Sequence, residues 1–124
     1  MAQRKDIQHR KDIDRLLEDF YFQIKKDDIL SPFFNHFDDA AWARHMVGMV
    51  DFFENSLFYI GVYDGSPLEI HRRVSSRNEL NKKHFEHWLD IFYATVDKHF
   101  KGAKADLAKQ RALSMAKAMS MRMR

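Results

Sequence analysis

The sequence predicts an all-α protein, and three observations carry that prediction. Apolar residues recur at three- and four-residue spacing through most of the chain, no stretch alternates with the two-residue period of a half-buried strand, and glycine numbers only four in 124 residues. A chain of this length suits one domain over residues 1–124. With 45% hydrophobic and 31% charged residues it has enough apolar material for a core and enough charge to coat it.

The first helix is read from Ile13, Leu16, Leu17, Phe20, Tyr21 and Ile24, which fall on one face. It stops near "KKDDILSPF", where Pro32 and the residue before it disfavour a helix, and "LSPFFNHF" places three phenylalanines in a short connection. Asp38 or Asp39 then caps a second helix with Trp42, Met46, Met49, Phe53 and Leu57 along one side. "GVYDGSP" closes it. A third long helix follows "SSRNELNKK", with Phe85, Trp88, Leu89, Phe92, Val96 and Phe100 inward, and ends at Gly102. The last helix runs roughly from Lys104 to Met121, its inner face made of Ala108, Ala112, Met115, Ala116 and Met119.

Composition removes several function classes. The apolar runs are far shorter than a membrane span and "MAQRKDIQHRKD" lacks the apolar core of a signal peptide, so the expectation is a cytoplasmic protein without membrane insertion. The absence of cysteine excludes disulfides, thiolate nucleophiles and cysteine-ligated metal centres. A net charge of +3 with interspersed signs lacks the basic stripe of a nucleic-acid binder; Lys117, Arg122 and Arg124 suit the C-terminal end of a helix dipole.

Any metal chemistry therefore falls to the seven histidines. His9, His36 and His99 sit in charged or loop-like settings and are expected to be exposed. His84 and His87 share a helix face, but no histidine has glutamate three residues before it, as helical di-iron sites require. They are read as a solvated face. His45 borders the apolar stripe of the second helix, and His71 stands one turn after Pro67 between Leu68 and Val74. A partly buried, hydrogen-bonded histidine is the plain reading of each. The aromatics, at 14% of the chain, equally suit a bulky core or a wall for a flat cofactor.

The stretches "DIDRLLEDFYFQI", "DDILSPFFN", "WARHMVGMVDFF", "YDGSPLEIH" and "HFEHWLDIFYATVDKHFKG", in this order, resemble the truncated haemoglobins, and specifically their third group. The resemblance covers nearly all of the chain from Asp12 to Gly102, and "ADLAKQRALSMAKAM" fits the family's final helix. It implies a two-over-two helical sandwich enclosing haem b (iron protoporphyrin IX). His71 is then the proximal iron ligand, with Arg72 and Arg73 placed to pair with the propionates and Phe33 or Phe34 packing on the porphyrin. Tyr21, His45 and Trp88 match the family's distal pocket, where they donate hydrogen bonds to a diatomic ligand such as O2, NO or CO.

Donors of that kind hold oxygen tightly, which argues against simple oxygen transport. The same resemblance leaves open nitric oxide dioxygenase-like or peroxidase-like chemistry served by a reductase, and a six-coordinate electron-transfer or sensor protein with His45 on the iron. A cofactor-free helical interaction module is the alternative from another class. A monomer or weak dimer is expected. The chain departs from the family at Phe53, where the third group commonly has tryptophan, and in the charged link "IHRRVSSRNELNKKHF".

Overall fold

Helix α1 (Arg10–Lys26) buries Ile13, Leu16, Leu17, Phe20, Tyr21 and Ile24, the full set its periodicity selects. In the computed structural model, which describes residues 4–58 and 81–122, the helix starts where the Asp12 carboxylate accepts the backbone N–H groups of Gln8 and His9. A negative charge in the first turn and Lys25 and Lys26 in the last both complement the helix dipole. The chain then turns on Asp27, whose Oδ2 accepts the amides of Ile29 and Leu30. That Asx-type turn leads into a single 3-10 turn, Ser31–Phe33, with Pro32 at its start where no amide donor is needed. Its effect is to aim Phe33 and Phe34 inward, 5% and 7% exposed.

Helix α2 (Asp39–Phe58) is capped by Asp38, whose Oδ1 accepts the Ala41 amide at 2.7 Å. Its buried stripe is His45, Met49, Val50, Phe53 and Leu57, while Trp42 and Met46 are only partly buried. The stripe is therefore rotated from the one the apolar residues outline, and a histidine occupies a core position. Helix α3 (Lys82–His99) begins with a reciprocal cap: Asn81 Oδ1 accepts the His84 amide, and His84 Nδ1 accepts the Asn81 amide. It buries Phe85, Trp88, Leu89, Phe92, Thr95 and Val96, and Phe100 follows in extended backbone, also buried. Helix α4 is Ala103–Arg122. Its core face is small, with Ala105, Ala108, Ala112 and Ala116 alongside Met115 and Met119.

The corner between α3 and α4 is tight. Gly102 has φ +146°, and a Cβ there would lie 2.6 Å from Asp6 Cγ, so both conformation and space demand glycine. Asp6 sits so close because it caps α4 from the other end of the chain: its two carboxylate oxygens accept the amides of Lys104 and Ala105. Lys5 pairs with Phe100 in a parallel bridge, and its carbonyl accepts the Lys101 amide.

Helices α1 and α2 form one layer and α3 and α4 the other, with α1 lying on α3 and α2 on α4. This is the expected two-over-two sandwich. Phe20, Tyr21, Phe53 and Phe92, each 1% exposed or less, fill the space between the layers. No helix among the described residues is long and apolar enough to cross a membrane.

Candidate functional site

A polar pair lies inside this aromatic core. His45 Nε2 stands 2.9 Å from the Tyr21 hydroxyl, with the imidazole 4% and the tyrosine 1% exposed. Each reaches the other because Tyr21 is on the inner face of α1 and His45 on that of α2, the two helices of one layer. Trp88, from α3 in the other layer, is joined to the same tyrosine through Phe20, whose ring meets both edge-on. A phenol hydroxyl can donate or accept and an imidazole nitrogen can do either according to tautomer, so the Tyr21–His45 bond satisfies one polar atom on each ring. Burial pushes the ionisation of Tyr21 well above the usual phenol range. Tyr21 therefore keeps its proton at any ordinary pH.

Rings enclose the trio. Phe20 meets Tyr21, Trp88 and Phe92 edge-on, at 4.8, 5.2 and 5.3 Å between ring centroids. Trp88 stacks on Phe92, with 6° between the planes, and Phe92 stacks on Phe53. On the α2 side, Phe34, Phe37 and Trp42 surround the imidazole of His45, each 5.7–5.8 Å away. Edge-to-face and offset-stacked contacts are the arrangements the ring quadrupoles favour, so the cage also fixes orientation.

The three residues selected for a distal pocket, Tyr21, His45 and Trp88, are all buried in this core, Tyr21 and His45 in direct contact and Trp88 joined to Tyr21 through Phe20. Phe34 belongs to the same cage through Tyr21, at 5.9 Å. Phe33 is turned instead toward His84, with the two rings 4.7 Å apart. His71, Arg72 and Arg73 lie outside the described residues.

Other histidines depart from their expected settings. His99 is not exposed: its side chain is 19% accessible and its Nε2 lies 2.6 Å from Asp19 Oδ2. His87 does not face solvent freely either, since its Nε2 pairs with Asp27 Oδ1 at 2.8 Å. His84 is tied up in the α3 cap, and His36 is half-buried with its ring against Phe37. His9 is exposed as expected. The α1 and α3 sequences each look like ordinary amphipathic helices, and only their packing brings these carboxylates and imidazoles together.

The His99 hydrogen bond, supported by Lys98, holds the pKa of Asp19 below the usual carboxylate range. For Asp27, burial acts upward, but His87 and the amides of Leu30 and Ile29 outweigh it and the net shift is down. Arg10 joins α1 to α2 by reaching both Asp51 and Glu54, and Asp51's hydrogen bond is the main cause of its raised value.

The donor set suits one face of a haem. A hydroxyl, an imidazole and an indole N–H converge from three helices in surroundings that are otherwise hydrocarbon and aromatic, which is the chemistry needed to hold a small polar ligand against a flat apolar cofactor.

No family model matches the sequence. Among curated proteins, the chain is similar to a group 3 truncated haemoglobin of Campylobacter jejuni, with 28% identity over 111 residues, covering 87% of this chain and 85% of the relative. Among solved structures it is similar to the crystal structure of a group III truncated haemoglobin from Campylobacter jejuni, with a TM-score of 0.81, 25% identity, and coverage of 98% of this chain and 96% of the other. Sequence likeness and a shared two-over-two architecture over nearly the full length agree, and both make this chain similar to the truncated haemoglobins of the third group.

Proposed function

We propose that the protein binds haem b and, through it, a diatomic gas, with Tyr21, His45 and Trp88 as the distal hydrogen-bonding residues and His71 as the proximal ligand. The observation that carries this reading is the buried Tyr21–His45 pair, 2.9 Å apart, beneath a tryptophan from the opposite layer. A core built only for stability gains little from such a trio, because three polar groups must be desolvated and then satisfied. Without cysteine the chain cannot form the thioether bonds of c-type attachment, so the haem would be held non-covalently.

When bound, the haem supplies an iron with one open coordination position. The chain's own residues decide what happens beside it. Tyr21 stays protonated through burial and is a hydroxyl donor under all working conditions. His45 Nε2 shares a hydrogen bond with the Tyr21 hydroxyl while no ligand competes for it; a polar ligand would draw the proton of Tyr21 Oη toward itself. Trp88 adds a second donor from a fixed direction, held by its stacking on Phe92. Fixed donors around a dry site act without reorganising, which is where they are most effective. Slow ligand dissociation follows, and the same donors would assist nitric oxide or peroxide chemistry if a reductase supplies electrons. His45 commits its Nε2 to Tyr21, which favours a distal imidazole over a sixth iron ligand.

The test is the ultraviolet–visible spectrum of the purified protein, reconstituted with haem where needed, for the wild type, His71→Ala and Tyr21→Phe. A stoichiometric Soret band that is lost or shifted in His71→Ala, with faster oxygen dissociation in Tyr21→Phe, is the expected result. Failure to take up haem stoichiometrically would reject the reading in favour of a cofactor-free helical module.

A further inference from the structure

His45 is held by more than its bond to Tyr21. On its outer side lies Trp42, one helical turn earlier on α2, with the two rings 5.8 Å apart and inclined by 32°. Trp42 also meets Tyr21 edge-on at 5.4 Å and Phe34 at 5.7 Å, so it touches both members of the polar pair and the wall beside them. The indole is only partly buried, unlike the imidazole and phenol it covers. Lys25, an exposed residue of α1, extends over its ring, with Nζ 4.0 Å from the centroid. The order from solvent to core is therefore ammonium, indole, imidazole, phenol.

We infer that Trp42, clamped from outside by Lys25, is a positioning residue that keeps His45 on Tyr21. The inference rests on the distal role proposed for that pair and names the part of the chain that governs it. An imidazole can leave a buried hydroxyl only by rotating its side chain, and here the outward rotation is blocked by a ring whose own displacement would break a cation–π contact between helices. The clamp joins α1 to α2 directly above the pair. Its strength thus sets the fraction of time for which His45 is away from Tyr21, when the Tyr21 proton is uncommitted and the imidazole is open to solvent.

Site-resolved modification by diethyl pyrocarbonate measures that fraction, because only an uncommitted, accessible imidazole nitrogen reacts. The full-length protein as isolated is labelled over time, and His45 and His99 are followed by peptide mass spectrometry. His99 is the internal reference: like His45 its Nε2 is tied to a partner, here the Asp19 carboxylate, but it is remote in sequence from the clamp, on α3. Lys25→Met keeps the length of the side chain and removes the charge; it should speed modification of His45 by roughly two- to five-fold, the factor an exposed cation–π contact is worth. Lys25→Arg should restore the wild-type rate, and Trp42→Ala should exceed the Lys25→Met effect.

Unchanged His45 reactivity in Lys25→Met overturns the proposal. So does equal acceleration at His45 and His99, which would mean general loosening, or a Lys25→Arg variant as fast as Lys25→Met. Lys25 is exposed, so the comparison does not depend on Trp42→Ala folding. It also does not depend on haem: a chain that takes up none would defeat the functional reading while the reactivity ratio still judged the clamp.

Discussion

Tyr21 illustrates what a single core position must satisfy. Its ring completes the apolar face of α1, yet its hydroxyl is buried with it, and a buried hydroxyl without a partner costs about 1–3 kcal/mol. His45 meets that requirement at 2.9 Å through its Nε2, which is satisfied by the same bond. Removing either member therefore strands the other. Tyr21→Phe and His45→Leu should each destabilise the protein by about 1–3 kcal/mol, whereas the double variant should cost less than their sum by about 0.5–3 kcal/mol. Urea denaturation of the four proteins completes the cycle, and strict additivity would show that the pair contributes no coupling. Tyr21 was legible from the spacing of α1 alone, and the family resemblance gave it a role. His45 was harder: its position beside an apolar stripe suggested an edge, and only the rotation of α2 toward α1 makes it core.

Between elements, the contact of α1 with α3 is where polar pairing adds most to the apolar seam. Asp27–His87 and Asp19–His99 join the two helices, and Gln23 Nε2 donates to the buried Thr95 hydroxyl, which in turn donates to the Ile91 carbonyl. Both carboxyls are held below the usual carboxylate range in the folded protein by these partners. A lowered folded value means stabilisation that is complete above the unfolded value and is lost as pH falls through the folded one. The wild type should thus lose stability below about pH 4. Asp19→Asn/Asp27→Asn should be less stable at neutral pH by about 1–3 kcal/mol and show a shallower decline in acid. Urea midpoints from pH 7 down to pH 3 test both parts, and parallel curves for the two proteins would disprove the assignment. Neither pair was visible in the sequence. Periodicity reports which face of a helix is apolar, but it carries no information on which distant residue meets the polar edge of that face. The same limit hid Lys25 over Trp42, and Asp6 capping a helix that begins nearly a hundred residues later.

For the whole molecule, the sandwich and the aromatic cage around Tyr21 followed from the sequence more fully than their polar fastenings did, because layer packing depends on stripes of apolar residues and those are local patterns. Three of the four stripes predicted the buried sets of their helices, α1, α3 and α4, almost residue for residue, and the small face of α4 explains how α3 approaches it. The proximal side rests on the resemblance, since His71, Arg72 and Arg73 fall outside the described residues. A measurement on the intact molecule reaches that side without needing its coordinates. A cofactor that binds only the folded chain stabilises it by RT ln(1 + [L]/Kd), about 4 kcal/mol at a thousand-fold excess over Kd. For a chain of this size, that corresponds to a rise of roughly 10–20 °C in melting temperature. The wild type should show such a rise on adding haem. His71→Ala should lose most of it because the iron–imidazole bond is gone, while Tyr21→Phe, which alters only the distal side, should retain it. Equal rises in wild type and His71→Ala would place the haem on some other ligand, and no rise in any of them would leave the sandwich as a fold without its cofactor.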